Sequence, residues 1–320
     1  MAEISAQMVK ELREKTGAGM MDCKKALSET AGDFVKAEEW LRKKGISKAA
    51  SKGGRVAAEG LVAVEVLNDG KLGVAVEVNA ETDFVARNDD FVQLTKGMVA
   101  HVGRHAPKDL ENLLEQAWTE GKSVKDALTE KIATIGENIS VRRFSRFAVE
   151  GDGTVGSYLH ANNRIAALVE ILGSDKPEAK AVAKELAMQV AAMNPRWVSR
   201  EFVPADVIEK EKEIYREEIR NPPPPGPGEV RNPNKKPPPE ERWPMIIEGK
   251  LGKFYENNCL VDQVSIKDDK KKVKDLVVEA GKTAGVELKV GRVARLEVGE
   301  GIEKKKEDLA AEVAKTLGQA

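Results

Sequence analysis

Few residues of this 320-residue sequence could carry out acid–base, nucleophilic or metal chemistry. His101 and His105 have the i,i+4 spacing of two metal ligands on one helix face, but no third ligand accompanies them, and two surface histidines are the better interpretation. Cys23 and Cys259 lie far apart and form neither a CxxC site nor a disulfide framework. Phosphate-loop, nucleophile-elbow and HExxH motifs are absent. We therefore expect no catalytic residue, no metal and no cofactor.

A different chemistry is indicated by the segment Thr82-Asp83-Phe84-Val85, which follows a predicted strand. A phenylalanine in a polar loop either anchors its own fold, the commoner outcome, or is presented to a partner. A carboxylate beside an aromatic wedge suits a partner site that holds a cation. The related second half of the chain lacks this insertion, so the fold does not require it. This observation favours the partner-binding interpretation.

The amino-acid composition argues against several classes of function. The 52 basic and 53 acidic residues give a net charge of -1, which argues against a protein that binds nucleic acid through bulk positive charge. Aromatic residues make up only 4%, which disfavours base-stacking platforms and large cofactor pockets. No apolar run reaches the roughly 20 residues that span a bilayer, and residues 1–4 lack the features of a signal peptide. We expect a cytoplasmic protein with no membrane contact.

The elements that must position these residues begin with a helical N-terminal domain at 1–55. The pattern predicts three short helices, the third ending at Gly45, because glycine is common at helix ends. The basic stretch 42–55 is then interpreted as a linker.

The core is predicted to be α+β, with two related halves. The strands 61–66 and 72–78 around Asn68-Asp69-Gly70 predict a hairpin, followed by an irregular acidic segment at 79–90 and a helix. Further along the chain, strands within 138–172 precede a helix at 177–192. We therefore predict a core subdomain at 56–148 and a second at 149–202 with 259–298, both with antiparallel sheets.

A helical hairpin interrupts the second subdomain at 203–258. Its tip, 221–244, holds ten of the 14 prolines and should be extended, because proline lacks an N–H and fixes φ. A strand at 290–298 and a C-terminal helical module at 299–320, with a helix at 304–317, complete the prediction.

Four segments, in order along the chain, resemble the signature regions of the elongation factor Ts family. They are residues 12–27, 79–87, 131–139 and 297–304. The resemblance implies a ubiquitin-associated-like N-terminal domain, a core of two subdomains, an inserted helical hairpin and a C-terminal helical module. It also implies a non-enzymatic guanine-nucleotide exchange factor in protein biosynthesis. Such a factor binds GDP-bound and nucleotide-free elongation factor Tu, displaces Mg²⁺ and promotes GDP release.

The resemblance also implies roles for individual residues. Met20 and Lys24 would hold the nucleotide-binding domain of Tu, and Thr82, Asp83, Phe84 and Val85 would enter that domain near its Mg²⁺. Ile135, Gly136 and Asn138 would make another contact, His160 would contact a different domain of Tu, and the helix from Lys304 would return to the nucleotide domain. Many family members have a continuous coiled coil where prolines at 222–225 and 237–239 stand here, so a homodimer and a 2:2 complex with Tu both remain open.

Two other functions remain open at the level of sequence. The first is an interaction module without exchange activity, since a three-helix bundle of this size also resembles ubiquitin-associated-type domains and the rest of the chain could be a scaffold. The second is RNA binding by residues 142–147, where arginine and phenylalanine alternate on a strand. Release of labelled GDP from Tu separates all three.

Overall fold

The computed structural model describes residues 4–119, 121–222 and 238–303. It confirms an α+β fold with antiparallel sheets. The helices are α1 (Ala6–Thr16), α2 (Met20–Glu29), α3 (Phe34–Lys52), α4 (Asp83–Ala86), α5 (Asp89–His105), α6 (Leu110–Glu115), α7 (Val124–Ile135), α8 (Pro177–Met193), α9 (Ala205–Arg220), α10 (Trp243–Asn258) and α11 (Val273–Ala284). The strands are β1 (Glu59–Leu67), β2 (Leu72–Ala80), β3 (Ala117–Thr119), β4 (Lys122–Ser123), β5 (Ile139–Ala148), β6 (Gly153–Leu159), β7 (Ile165–Leu172) and β8 (Lys289–Glu297).

Local signals set the ends of the N-terminal helices. The Ser5 hydroxyl accepts a hydrogen bond from the Met8 N–H at the start of α1, and Gly17 ends that helix with a left-handed φ of 67°. Asp33 caps α3 by accepting from the Lys36 N–H. The three helices enclose a small apolar cluster formed by Val9, Leu12, Cys23, Ala26, Leu27 and Ala37.

The predicted end of the third helix at Gly45 is wrong, and so is the interpretation of the following residues as a linker. Helix α3 continues to Lys52, and Gly45 is buried within it. A β-carbon on Gly45 would lie 3.1 Å from Cβ of Ala133 in α7, so the glycine permits a close helix crossing. Ala49 packs against the core, and the Lys52 ammonium donates to the Gly136 carbonyl. Helix α3 therefore joins the N-terminal domain to the core.

The first core sheet has the order β1-β2-β5, and the second has the order β6-β7-β8. Helices α5 and α7 cover the outer face of the first sheet, and α8 and α11 cover that of the second. The inner faces meet in a cluster that includes Val62, Ala75, Val155 and Leu168. Strand β2 is buried at all nine positions because both of its faces are covered.

Helix α11 was missed by the sequence analysis, although Val273, Val277 and Ala284 are buried along one of its faces. Its charged exposed face obscures that short apolar stripe.

The inserted hairpin pairs α9 with α10 through Ile219, Ile247 and Leu251. Helix α10 begins at Trp243, earlier than predicted, and includes Pro244 in its first turn, where a missing N–H leaves no bond unmade. Residues 223–237 of the proline-rich tip and the predicted helix from Lys304 lie outside the described residues.

Candidate partner-binding site

The segment after β2 forms a short helix, so the prediction that 79–90 is irregular is wrong. Thr82 has an extended backbone and caps α4, its hydroxyl accepting from the Val85 N–H at 3.4 Å. Asn88 caps the next helix, α5, in the same way through the Asp90 N–H. Two caps within seven residues fix the path of the chain between β2 and α5.

Helix α4 separates its residues into an anchor and an exposed pair. Val85 is 9% exposed and packs in the core, whereas Phe84 is 81% exposed. The interpretation of Phe84 as an anchor of its own fold is therefore wrong, because Val85 has that role. The Asp83 carboxylate accepts from the Arg87 guanidinium at 2.8 Å and remains about half exposed. The fold thus presents an aromatic ring and a carboxylate next to each other on its surface.

The structure brings a second predicted contact segment, 135–138, beside this loop. The Glu137 carboxylate accepts from the Thr82 N–H at 2.9 Å and from the Thr82 hydroxyl at 2.7 Å. In the opposite direction, the Glu81 carboxylate accepts from the Asn138 N–H at 2.6 Å. Gly136 ends α7 with a φ of 90°, which turns the chain toward the loop. Thr82–Val85 and Ile135–Asn138 therefore form one continuous surface.

Met20 is the first residue of α2, Lys24 lies one turn later, and both are exposed. Asp22 lies between them in sequence and binds the ammonium groups of Lys44 and Lys48 in α3 at 2.6 and 2.5 Å. These two cations hold the pKa of Asp22 below its usual range. The pairs fix α2 on α3.

The loop that leads into α2 lies near the end of α7. A β-carbon on Gly17 would be 3.7 Å from Cγ2 of Thr134. This proximity connects the Met20 surface with the 135–138 segment.

His160 lies on the second sheet, beyond the end of β6, and is exposed. Its Nδ1 is 3.1 Å from Oδ1 of Asn162, and Asn163 has the left-handed φ expected of this turn. The turn that follows His160 contacts β1 of the first sheet, where the Val62 N–H donates to the Asn163 carbonyl at 2.9 Å.

Comparison with known proteins identifies the family. A family model described as "Elongation factor TS" matches residues 81–300, and one described as "Elongation factor Ts, mitochondrial, N-terminal" matches residues 1–53. A curated protein named elongation factor Ts from Clostridium botulinum (strain Eklund 17B / Type B) is 46% identical over 317 residues, covering 99% of this chain and all of the relative. One from Nitratiruptor sp. is 47% identical over 315 residues, covering 97% of this chain and 98% of the relative.

The chain belongs to the elongation factor Ts family.

Family membership makes the protein a translation elongation factor, and the structure shows what its other notable residues do. His101 is only 6% exposed, so the interpretation of two surface histidines is wrong for this residue. Its Nε2 lies 3.0 Å from Oε1 of Gln116, and its ring lies 5.2 Å from that of Trp118. Burial lowers the pKa of His101. Within the described ranges, no three His, Cys, Asp or Glu side chains are placed to hold a metal.

The two cysteines are packing residues. Cys23 and Cys259 are both buried, and burial raises the pKa of Cys259 to about 11. A thiol with such a pKa is protonated near neutral pH and is a poor nucleophile.

The arginine-rich strand β5 does not present a free basic face. Arg142 and Arg143 bind the buried carboxylate of Glu77 at 3.2 and 2.6 Å, and Arg146 donates to the Gly103 carbonyl. Phe147 is buried between the sheets. Glu77 and Glu300 thus neutralise Arg142 and Arg143, whose charges RNA binding would need.

No helix in the part of the chain that the structure describes is both long and apolar enough to cross a membrane.

Sequence reasoning missed the loop-supporting residues Glu81 and Glu137, although both lie within the segments that resemble the elongation factor Ts family. The sequence did contain a signal for this support, because each segment holds a glutamate that can accept hydrogen bonds from the backbone of the other segment.

Proposed function

We propose that this protein is a guanine-nucleotide exchange factor that binds GDP-bound elongation factor Tu in the cytoplasm and promotes GDP release. The observation that carries the proposal is the 81% exposure of Phe84 on a helix whose next residue is buried. A large apolar ring exposed on a firmly held backbone contributes little to its own fold and suits insertion into a partner. Membership in the elongation factor Ts family supports Tu as that partner.

In the proposed mechanism, Asp83 and Phe84 enter the nucleotide-binding domain of Tu near its Mg²⁺. Displacement of Mg²⁺ weakens the hold on the GDP phosphates, and GDP leaves. Thr82 and Val85 hold this pair in place, while Met20 and Lys24 bind the same domain of Tu. Ile135, Gly136 and Asn138 extend that contact, and His160 binds another domain of Tu.

Exchange of this kind requires no chemical catalysis by the factor. The factor must only bind nucleotide-free Tu more tightly than Tu with GDP, and GDP then weakens factor binding by the same ratio. Buried thiols and a buried neutral histidine are compatible with this requirement.

The test is GDP release from Tu loaded with a fluorescent GDP analogue and chased with excess unlabelled GDP. We expect a substoichiometric amount of this protein to accelerate release. The absence of acceleration with properly folded Tu would contradict the proposal.

The Mg²⁺ step has its own test. When EDTA removes Mg²⁺ beforehand, the factor should accelerate GDP release much less, because the Mg²⁺ that it is proposed to displace is already absent. Equal acceleration with and without EDTA would contradict the Mg²⁺ step and leave exchange itself intact.

A further inference from the structure

Two glutamates connect the Phe84 loop with the segment after α7 in a crossed pattern. Glu81, just before the loop, accepts from the backbone of Asn138, and Glu137, just before Asn138, accepts from Thr82. The three donor–acceptor distances lie between 2.6 and 2.9 Å, which is typical of hydrogen bonds to a charged acceptor. Each glutamate therefore holds the backbone of the other's segment.

The bond from the Thr82 hydroxyl to Glu137 determines how the short helix begins. A hydroxyl has a single proton, and Thr82 donates it to Glu137 at 2.7 Å. The lone pairs of the same oxygen then face the Val85 N–H, which is the capping bond of α4. Glu137 thus orients the cap, and the cap sets the direction of the helix that carries Asp83 and Phe84.

The exposed pair has little other support. Phe84 is almost fully exposed, and among the described residues Asp83 pairs with Arg87 alone, just beyond the end of α4. Val85 anchors one side of the turn, and the Glu137 bonds to Thr82 hold the other.

The Asn138 side of this connection is tied to the end of α3. The Asn138 side chain donates to the Arg55 carbonyl at 2.8 Å, and the Arg55 guanidinium lies 3.5 Å from the Glu81 carboxylate. The Lys52 ammonium donates to the Gly136 carbonyl. The crossed glutamates therefore join three segments that are distant in sequence.

We propose that Glu137 is a positioning residue for nucleotide exchange, acting through Thr82 to hold Asp83 and Phe84 in the orientation that enters the partner, with Glu81 as the matching support. The inference rests on the proposed exchange function. It assigns Glu137 a role in the rate of GDP release rather than in docking. Met20, Lys24 and His160 lie on other elements, and the proposed contacts beside it, Gly136 and Asn138, bind Lys52, Glu81 and the Arg55 carbonyl rather than the Glu137 carboxylate.

The central experiment compares Glu137→Ala and Glu137→Gln with the unaltered protein in the GDP-release assay, over a range of factor concentrations. For Glu137→Ala we expect the saturating rate to fall about tenfold or more, because both bonds from Thr82 are lost and one hydrogen bond to a charged group already corresponds to about that factor. The half-saturating concentration should change less than about twofold, because the residues proposed to dock the factor are left in place and a twofold change is a small free-energy difference. Glu137→Gln should recover part of the rate, because its amide oxygen still accepts from the Thr82 N–H.

Asp109→Ala is the matched control. Asp109 caps α6 of the same subdomain by accepting from the Asn112 N–H at 2.7 Å, and it lies outside the contact segments. This variant loses a capping carboxylate of the same kind and should release GDP at the unaltered rate. An equal loss in Asp109→Ala and Glu137→Ala would overturn the inference.

A double variant tests whether Glu137 acts through the exposed ring. In the Phe84→Ala background, Glu137→Ala should reduce the saturating rate by much less than about tenfold, because the group that it positions is already absent. Fully multiplicative effects would overturn the inference, since they would make Glu137 an independent contact.

Amide hydrogen–deuterium exchange in the free protein supplies a readout that does not depend on Tu. The peptide spanning 81–88 should exchange faster in Glu137→Ala and in Thr82→Val, and at the unaltered rate in Asp109→Ala. Thr82→Val exchanges the hydroxyl for a methyl group and removes both the bond to Glu137 and the capping bond from Val85, so it tests the same cap if Glu137→Ala folds poorly. Unchanged exchange in Thr82→Val and Glu137→Ala would overturn the inference.

The two proposals fail in different ways. If the unaltered protein does not accelerate GDP release, the proposed function is contradicted. If it does, and Glu137→Ala matches its saturating rate or changes only the half-saturating concentration, the positioning role alone is contradicted.

Discussion

Phe84 and Val85 are neighbours in sequence with opposite environments. A helix rotates about 100° per residue, so even one turn can direct adjacent side chains to different sides. Val85 takes the core side, and Phe84 projects to solvent beside Asp83. The backbone, held by the Thr82 cap, therefore controls the direction of a ring that packs against very little of its own protein.

Replacing Phe84 with alanine should slow GDP release from Tu with no loss of folding. A buried interface aromatic commonly contributes more than about 1–2 kcal/mol to binding, which corresponds to roughly tenfold or more in rate. The free energy of unfolding should change by less than about 0.5 kcal/mol, because Phe84 is exposed. Phe202→Ala, the same truncation at another exposed aromatic, is the control. Unaltered exchange by folded Phe84→Ala would contradict the proposed role.

The buried His101 should make stability depend on pH. Burial lowers its pKa in the folded state, and the neighbouring Arg104 and His105 act in the same direction. Protonation therefore favours the unfolded chain, where the pKa is about 6.5. The stability contributed by neutral His101 is fully present above that pH and is lost as the pH falls through the lower folded-state pKa.

The measurement is urea unfolding followed by circular dichroism between about pH 7 and pH 5.5, a range that brackets the ordinary pKa of histidine. We expect the unaltered protein to lose more stability over this range than His101→Gln, and His105→Gln to behave more like the unaltered protein. Parallel curves for the unaltered protein and His101→Gln would contradict this prediction.

At the scale of elements, the crossing of α3 and α7 determines how the N-terminal domain meets the core. Gly45 provides the space for this crossing, and Ala133 faces it. The same two helices also support the partner-binding surface, since Lys52 at the end of α3 donates to the carbonyl of Gly136, which ends α7.

Gly45→Leu should destabilise the protein, because a larger side chain would force α3 away from α7. Overpacking of this kind typically costs about 1–3 kcal/mol. Gly249→Leu in α10 is the matched control, since a β-carbon there meets no atom within 4 Å. The control should leave stability equal or slightly raised, because glycine is a poor helix former. Thermal unfolding measures both variants. Equal melting temperatures for Gly45→Leu and Gly249→Leu would show that α3 and α7 can move apart without loss of stability, which would contradict the prediction.

At the scale of the whole molecule, two buried glutamates hold two arginines, and each arginine binds the opposite sheet. Glu77 on β2 binds Arg143 on β5, and Arg143 also donates to the Glu297 carbonyl at the end of β8. Glu170 on β7 binds Arg292 on β8, and Arg292 also donates to the Ala148 carbonyl at the end of β5. Each sheet therefore extends one arginine to the last residue of a strand in the other.

Glu77→Ala should lower the free energy of unfolding by about 2–3 kcal/mol, below the full cost of breaking a buried pair, because both arginines are partly hydrated. Glu77 itself is fully buried and also accepts from the Gly299 N–H at 2.8 Å, so its loss leaves three donors short of a partner. Chemical denaturation measures the effect. Glu65→Ala, an exposed glutamate on the neighbouring strand β1, is the control, and an equal effect in both variants would contradict the prediction.

The sequence by itself determined the features that depend on near neighbours. Capping residues such as Ser5 and Asp33, the turn at Asn68–Gly70 and the alternation of apolar residues act over a few positions, and their predicted elements are confirmed. The segments that resemble the elongation factor Ts family are also local, and the comparisons confirm the family.

Only the tertiary structure decided which distant residues meet. Gly45 resembles a helix end until α7 is seen to pack against it, and His101 resembles a surface residue until Trp118 covers it. The direction of Phe84 depends on a bond between Thr82 and Glu137, which are 55 positions apart. Hydrogen bonding and packing act through space, so a pattern read along the chain cannot reveal a partner that folding alone brings within about 3 Å.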